Sequence, residues 1–163
     1  MSKRVDSASK LIFASASRIY QAFATRNAME TWLPPQGMTG RMVNFAFREG
    51  GAYRMRLTYN EPQHVAGKTS ADADEVEVRF VKLVEGERIE QAVTFNSEDS
   101  AFSGEMRITW ILEPLTDGTL VTVSCENVPP GIRQEDHKAG LMSTLNNLAS
   151  FAEGTRKCEQ SGR

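Results

Sequence analysis

Histidine is scarce in this chain, with only His64 and His137 among 163 residues. A histidine-rich metal centre is thereby excluded. Cysteine is as rare, and Cys125 and Cys158 form neither a CxxC pair nor a metal-ligand spacing. Both read as reduced intracellular thiols rather than a disulfide. No apolar run approaches the roughly 18 residues that a membrane helix needs. The polar start MSKRVDSASK carries no secretory leader, so the expected location is the cytoplasm. The formal net charge is -2, with basic residues scattered among acids, which leaves no basic patch for nucleic acid or anionic membrane. Gly-rich phosphate loops, a GxSxG elbow and HExxH are all missing, so no cofactor, no metal and no catalytic residue is expected. With no repeat, low-complexity block or linker, the chain reads as one domain over 1–163, its core about 8–154 and a polar tail at 155–163. A chain this long buries roughly 70% of its unfolded surface, enough for a core with room for a cavity.

What the chain does have is two periodicities. In Ile132 to Ala152, Leu141, Leu145, Leu148 and Ala152 fall on one stripe of a 3.6-residue wheel. His137, Thr144 and Phe151 lie along its edge, while Ser143, Asn146, Asn147, Ser150 and Glu153 point away. This predicts a long amphipathic helix, stopped by Gly154. Before it, most of the chain has a period of two. A first strand occupies Lys10 to Phe13 within a frayed stretch from Val5 to Ala14. Ser15 or Ser17 caps a short helix bearing Ile19, Ala22 and Phe23. Asn27 opens a second through Met29 and Trp32, which Pro34 and Pro35 end. Val43, Phe45 and Phe47 then alternate with Met42, Asn44, Ala46 and Arg48 up to a turn at Glu49-Gly50-Gly51. Tyr53, Met55, Leu57 and Tyr59 face opposite Arg54, Arg56 and Thr58, completing a hairpin. After a polar loop from Asn60 to Ala73 come four one-sided strands. Their apolar sets are Val76, Val78 and Phe80; Ile89, Val93 and Phe95; Met106, Ile108, Trp110 and Leu112; and Val121, Val123 and Cys125. Pro129-Pro130-Gly131 breaks the chain into the final helix.

Such strands fit antiparallel pairing with one wet face. The expected architecture is α+β: a curved antiparallel sheet of about six to seven strands, two short helices between strands 1 and 2, and a long C-terminal helix held against the sheet.

Few residues offer chemistry. Glu75 and Glu77 share the outward parity, as do Arg54 and Arg56, so neither pair is a catalytic candidate. Gln91 shares parity with Ile89, Val93 and Phe95. It therefore faces inward and needs a partner, either a neighbouring strand or a cavity occupant. His64 sits in a loop and reads as solvated. His137 reads either as a boundary residue at the helix start or as a titratable group at a cavity mouth. Trp32, Tyr53, Tyr59 and Trp110 pair a large apolar body with one polar atom, which suits a packed core or a pocket wall. Met55, Met106 and Met142 add adaptable surface.

Several stretches carry a family resemblance. They are Ile19-Tyr20-Gln21-Ala22-Phe23, Trp32, Gly50-Gly51-Ala52-Tyr53, and Val128-Pro129-Pro130-Gly131-Ile132 leading to Ala139-Gly140-Leu141 and Leu145. Across about residues 8–152 the chain resembles the activator of heat-shock-protein-90 ATPase homologue family, within the START/birch-pollen-allergen (SRPBCC, START/Bet v 1-like) helix-grip superfamily. It departs at Leu33 and Pro34, where many members carry a second Trp and a Gly. The N-terminal domain that the eukaryotic co-chaperones add is not expected here. The resemblance implies a helix-grip fold with a cavity between sheet and helix. The expected function is binding of a small, largely apolar molecule there. Trp32, Tyr53, Met55, Phe80, Phe95, Met106, Ile108, Trp110, Leu141 and Leu145 would form the walls, with Gln91 and His137 supplying polarity. The alternatives are a chaperone-cofactor or stress-response interaction protein, and a hydrolase or cyclase using the same cavity. The expected assembly is a monomer or weak dimer.

Overall fold

β1 (Val5–Ile12) lies at one edge of a seven-stranded antiparallel sheet. The computed structural model describes residues 4–34, 38–59, 73–95, 105–129 and 132–161. After β1 come two short helices, α1 (Ala16–Gln21) and α2 (Arg26–Trp32). Five strands then follow in a meander with β2 at the far edge: β2 (Met38–Val43), β3 (Ala52–Tyr59), β4 (Ala73–Val84), β5 (Arg88–Phe95) and β6 (Glu105–Pro114). β7 (Thr119–Glu126) inserts between β6 and β1, giving the order β1-β7-β6-β5-β4-β3-β2. The sheet curves, and α3 (Gln134–Ser161) packs on β1 and against α1 and α2.

Local chemistry explains the joints. The Ser15 hydroxyl accepts from the Arg18 amide at 3.1 Å and starts α1. α2 begins at Thr25, whose hydroxyl accepts from the Ala28 amide at 3.2 Å, and not at Asn27 as the sequence suggested. Both residue types cap well, and two such candidates two residues apart are not separated by propensity alone. The first strand starts at Val5 rather than Lys10 because its register with β7 runs the whole way, from Val5 opposite Glu126 to Ile12 opposite Thr119.

The β2–β3 connection differs most from the expected alternation. β2 ends at Val43, and Asn44 adopts a left-handed φ of 57°. That residue resets the parity. Met42 is buried while Val43 is 48% exposed, yet Phe45 and Phe47 beyond it pack against the core. Gly51 closes the turn so tightly that a Cβ there would run into the Ala46 carbonyl. Phe45 and Phe47 thus fold back over the sheet instead of extending a strand.

The apolar stripe of α3 is as the wheel predicts: Leu141, Leu145, Leu148 and Ala152 are buried, joined by Ala149. Its half-buried edge is His137, Thr144 and Phe151. Gly154 does not stop the helix, which continues to Ser161. Two residues read as pointing away anchor it instead. The Asn147 amide donates to the Pro34 carbonyl at 3.4 Å, and Glu153 accepts from the Phe13 amide at 2.8 Å. Gly140 is exposed, and a Cβ there would meet nothing within 4 Å. Gly140→Ala is therefore expected to stabilise the protein by about 0.5–1 kcal/mol, seen as a higher urea midpoint at unchanged slope.

Candidate functional site

Cross-strand register sets out the concave face in rows. One row runs Phe80 (β4), Gln91 (β5), Ile108 (β6), Cys125 (β7) and Asp6 (β1), each the direct partner of the next. Directly opposed residues in a sheet share a face, so all five point toward the helix side. The neighbouring row holds Tyr53, Val78, Val93 and Met106. Met55 pairs with Val76, while Trp110 pairs with Ile89 and Val123. Every strand residue expected in the wall thus sits on inward parity. Phe95 pairs with Val76 through its backbone, but its side chain lies outside the described residues, as do that of Tyr59 and the whole of His64.

The aromatic residues form two clusters. Phe23, Trp32 and Trp110 meet edge to face at centroid separations of 5.1, 5.0 and 6.0 Å. Tyr53, Phe80, Phe45 and Phe47 form the second, with Phe80 at 5.7 Å from Tyr53 and 5.1 Å from Phe47. Each such pair adds about 0.5–1.5 kcal/mol beyond its buried area. The polar atoms of both tryptophans are satisfied inside the protein. Trp32 Nε1 donates to the Ala22 carbonyl at 2.8 Å, and Trp110 Nε1 donates to Gln91 Oε1 at 3.0 Å. Gln91 also hydrogen-bonds the Tyr53 hydroxyl, opposing the effect of burial, which raises the tyrosine pKa well above its ordinary value. Gln91 therefore links the two clusters from strand to strand. Phe23, Phe45 and Phe47 pack within these clusters, and parity over a continuous strand could not assign the last two.

Ile108 departs from this packed face. It lies at mid-sheet on the inward side, between buried Gln91 and buried Cys125, yet remains partly exposed. Leu57 and Val76, also inward, are partly exposed too. On the helix side Leu141 and Leu145 are buried.

His137 stands apart from the aromatic clusters. Its Nδ1 lies 2.7 Å from Oδ2 of Asp6, whose side chain is 0% exposed. Arg4 Nη2 donates to the same oxygen at 3.0 Å. An ionised carboxylate only accepts, so the proton of this bond resides on Nδ1. Burial acts to raise the Asp6 pKa, but the hydrogen bonds from His137 and Arg4 and the Arg4 charge outweigh it, and the net shift is downward. Cys125, beside Asp6 in the row, is pushed up to about 12 by burial and by the Asp6 charge. It is a protonated thiol at neutral pH, unsuited to nucleophilic attack. Sequence alternation does not reach Asp6, because it places the first strand at Lys10 to Phe13. From Val5 its inward parity with Ala8 and Ile12 is plain.

The depressed Asp6 pKa fixes the sign of a pH effect. Its contribution to stability is fully present above the unfolded value near 3.8 and is lost as pH falls through the lower folded value. On acidification below about pH 4, the urea midpoint of the native protein should fall more steeply than that of Asp6→Asn. Parallel curves would show that Asp6 has no such linkage.

Outward residues are paired by charge: Arg54 lies opposite Glu77, and Arg56 opposite Glu75. Exposed pairs of this kind contribute little to stability. Among the described residues, no group of three or more His, Cys, Asp or Glu side chains is placed to hold a metal. Among them, too, no helix is long and apolar enough to cross a membrane.

The chain is similar to many solved structures. A protein from Chromobacterium violaceum is 28% identical, with a TM-score of 0.79 over 91% of this chain and 97% of that one. A protein from Rhodobacter sphaeroides aligns at 13% identity with a TM-score of 0.74, over 93% and 99% of the two chains. An AHSA1-like protein from Aeromonas hydrophila aligns at 11% identity with a TM-score of 0.71, over 93% and 94%. At such low identities the last two show the shared fold alone. Among curated proteins none matches the sequence. The sequence model named "Activator of Hsp90 ATPase homolog 1-like protein" matches residues 14–153, nearly the whole span from the end of β1 through the buried part of α3. The helix-grip chain belongs to that family.

Proposed function

We propose that the protein binds a small, largely apolar molecule between the concave face of the sheet and α3. The observation that carries this reading is Ile108, a mid-sheet inward side chain that keeps partial exposure where both row neighbours are buried. An inward apolar residue that stays accessible marks unfilled space, and apolar walls with few polar groups suit such a ligand. Membership of a family that commonly binds hydrophobic ligands, or acts as a chaperone-cofactor homologue, supports it. In this reading Ile108, Met106, Val76 and Leu57 form the floor, and Leu141 and Leu145 the roof. The aromatic clusters and Gln91 brace the walls, since their polar atoms are already engaged.

Ile108→Trp tests the space and the function together. If room exists above Ile108, the larger ring costs less than about 1 kcal/mol, against the 1–3 kcal/mol of an overpacked core. It should also weaken binding of medium-chain alcohols by at least about tenfold in calorimetric titration. Native binding unaffected by the substitution would place the ligand elsewhere, and failure of such a panel to bind the native protein would remove the proposal.

A further inference from the structure

The concave row that crosses Ile108 contains two buried polar side chains, Gln91 and Asp6, and they differ in one respect. Gln91 is committed to Trp110 and Tyr53. Asp6 is only half engaged. Its Oδ2 accepts from both His137 and Arg4, while its Oδ1 is buried with no hydrogen-bond partner. Arg4 Nε, in the same ion pair, is likewise buried and unpartnered. An enclosed carboxylate oxygen without a donor costs about 1–3 kcal/mol or more, so this end of the row is strongly set to accept a hydrogen bond. Asp6 lies two strands from Ile108, about 10 Å, with the apolar Cys125 thiol between them.

We propose that Asp6 Oδ1 is the head-group subsite of the ligand site, and that the ligand is an apolar molecule ending in a neutral hydroxyl. The inference rests on the ligand-binding reading above and names the chemical class it takes. A hydroxyl both donates and accepts, so one oxygen answers the orphan acceptor on Asp6 and the orphan donor on Arg4. A cationic head is disfavoured, because the Arg4 guanidinium already neutralises the carboxylate and would repel a second buried cation. A carboxylate head would place two like charges together beside Asp6. Cys125 is fully buried, so the apolar chain reaches Asp6 from Ile108 only as the side chains covering the thiol move aside, which brings its hydroxyl under the first turns of α3. His137 holds the carboxylate in position from above. The polarity expected of His137 is therefore indirect: it is a positioning residue for Asp6.

The test compares 1-decanol with its methyl ether, which cannot donate, on the full chain by calorimetric titration. The alcohol is expected to bind the native protein about tenfold tighter than the ether. In Asp6→Asn the amide oxygen must face the two donors, Arg4 and His137. The amide NH2 then replaces Oδ1, and the preference for the alcohol should collapse toward unity. Equal affinity of both probes for the native protein, with the Ile108 methyl resonance moving, would overturn the head-group inference and leave apolar binding standing. No binding of either probe and an unmoved Ile108 methyl would overturn the ligand reading itself. Should Asp6→Asn fail to fold, the Asp6 carboxyl carbon resonance of the native protein decides the matter. A shift with the alcohol and none with the ether supports the subsite, and no shift with bound alcohol overturns it.

Discussion

Trp110→Ala is expected to lower stability by about 3–5 kcal/mol, the largest loss of any single substitution considered. Three consequences follow from one truncation. The indole is nearly fully buried and wedged edge to face against Phe23 and Trp32, so its removal leaves a cavity at the junction of sheet and short helices. The aromatic contacts are lost with it. Gln91 Oε1 also loses its donor while remaining inside the core. Trp110→Phe separates these effects in part, since it keeps one aromatic ring but removes the N–H and the rest of the fused indole. It should cost about 2–4 kcal/mol, the sum of an unpaired amide oxygen at Gln91 and a smaller cavity. Urea unfolding at unchanged slope reads both values. A Trp110→Ala loss below about 1 kcal/mol would mean that the indole is not enclosed.

Leu145→Ala should cost about 2–5 kcal/mol. Leu145 is fully buried at the centre of the α3 stripe, between Leu141 and Leu148, where the helix covers the sheet. Exposed Met142 is the internal control, and its replacement by alanine should change stability by no more than about 0.5 kcal/mol. The contrast matters because α3 is held at several points along its length. His137 meets Asp6 near its start, Asn147 meets Pro34 in its middle, and Glu153 meets the chain just after β1. If the polar anchors carried the helix by themselves, Leu145→Ala would be nearly silent.

Most of the sheet was legible in the sequence because side-chain alternation is a local property. From Tyr53 onward the inward residues of β3 to β7 are those that the period of two names, including the polar exception Gln91. Alternation failed where the backbone itself departed from a strand. Asn44 at positive φ shifts the parity between Met42 and Phe45, and nothing in the run Val43 to Phe47 announces that shift. α3 runs past the expected stop because a glycine costs a helix only about 1 kcal/mol, too little to enforce an end at Gly154. Asp6 was hidden for another reason. It sits in the mostly polar run VDSASK, and its helix partner His137 is 131 residues away in sequence. Contacts of that separation are made by the fold, and no spacing rule reports them. Gly140 shows the converse: it is a small residue on α3 that no close packing requires, since it faces open space.

Ligand binding over the concave face is most directly tested by a methyl NMR titration of the native protein with 1-decanol. Ile108 and Ile111 lie on the same strand, three residues apart and on opposite faces, with Ile111 39% exposed on the outer one. The result expected is a saturable shift of the Ile108 methyl resonances with those of Ile111 unmoved. A shift of Ile111 alone, equal non-saturating shifts of both, or no shift of Ile108 at saturating alcohol would contradict binding between the sheet and α3.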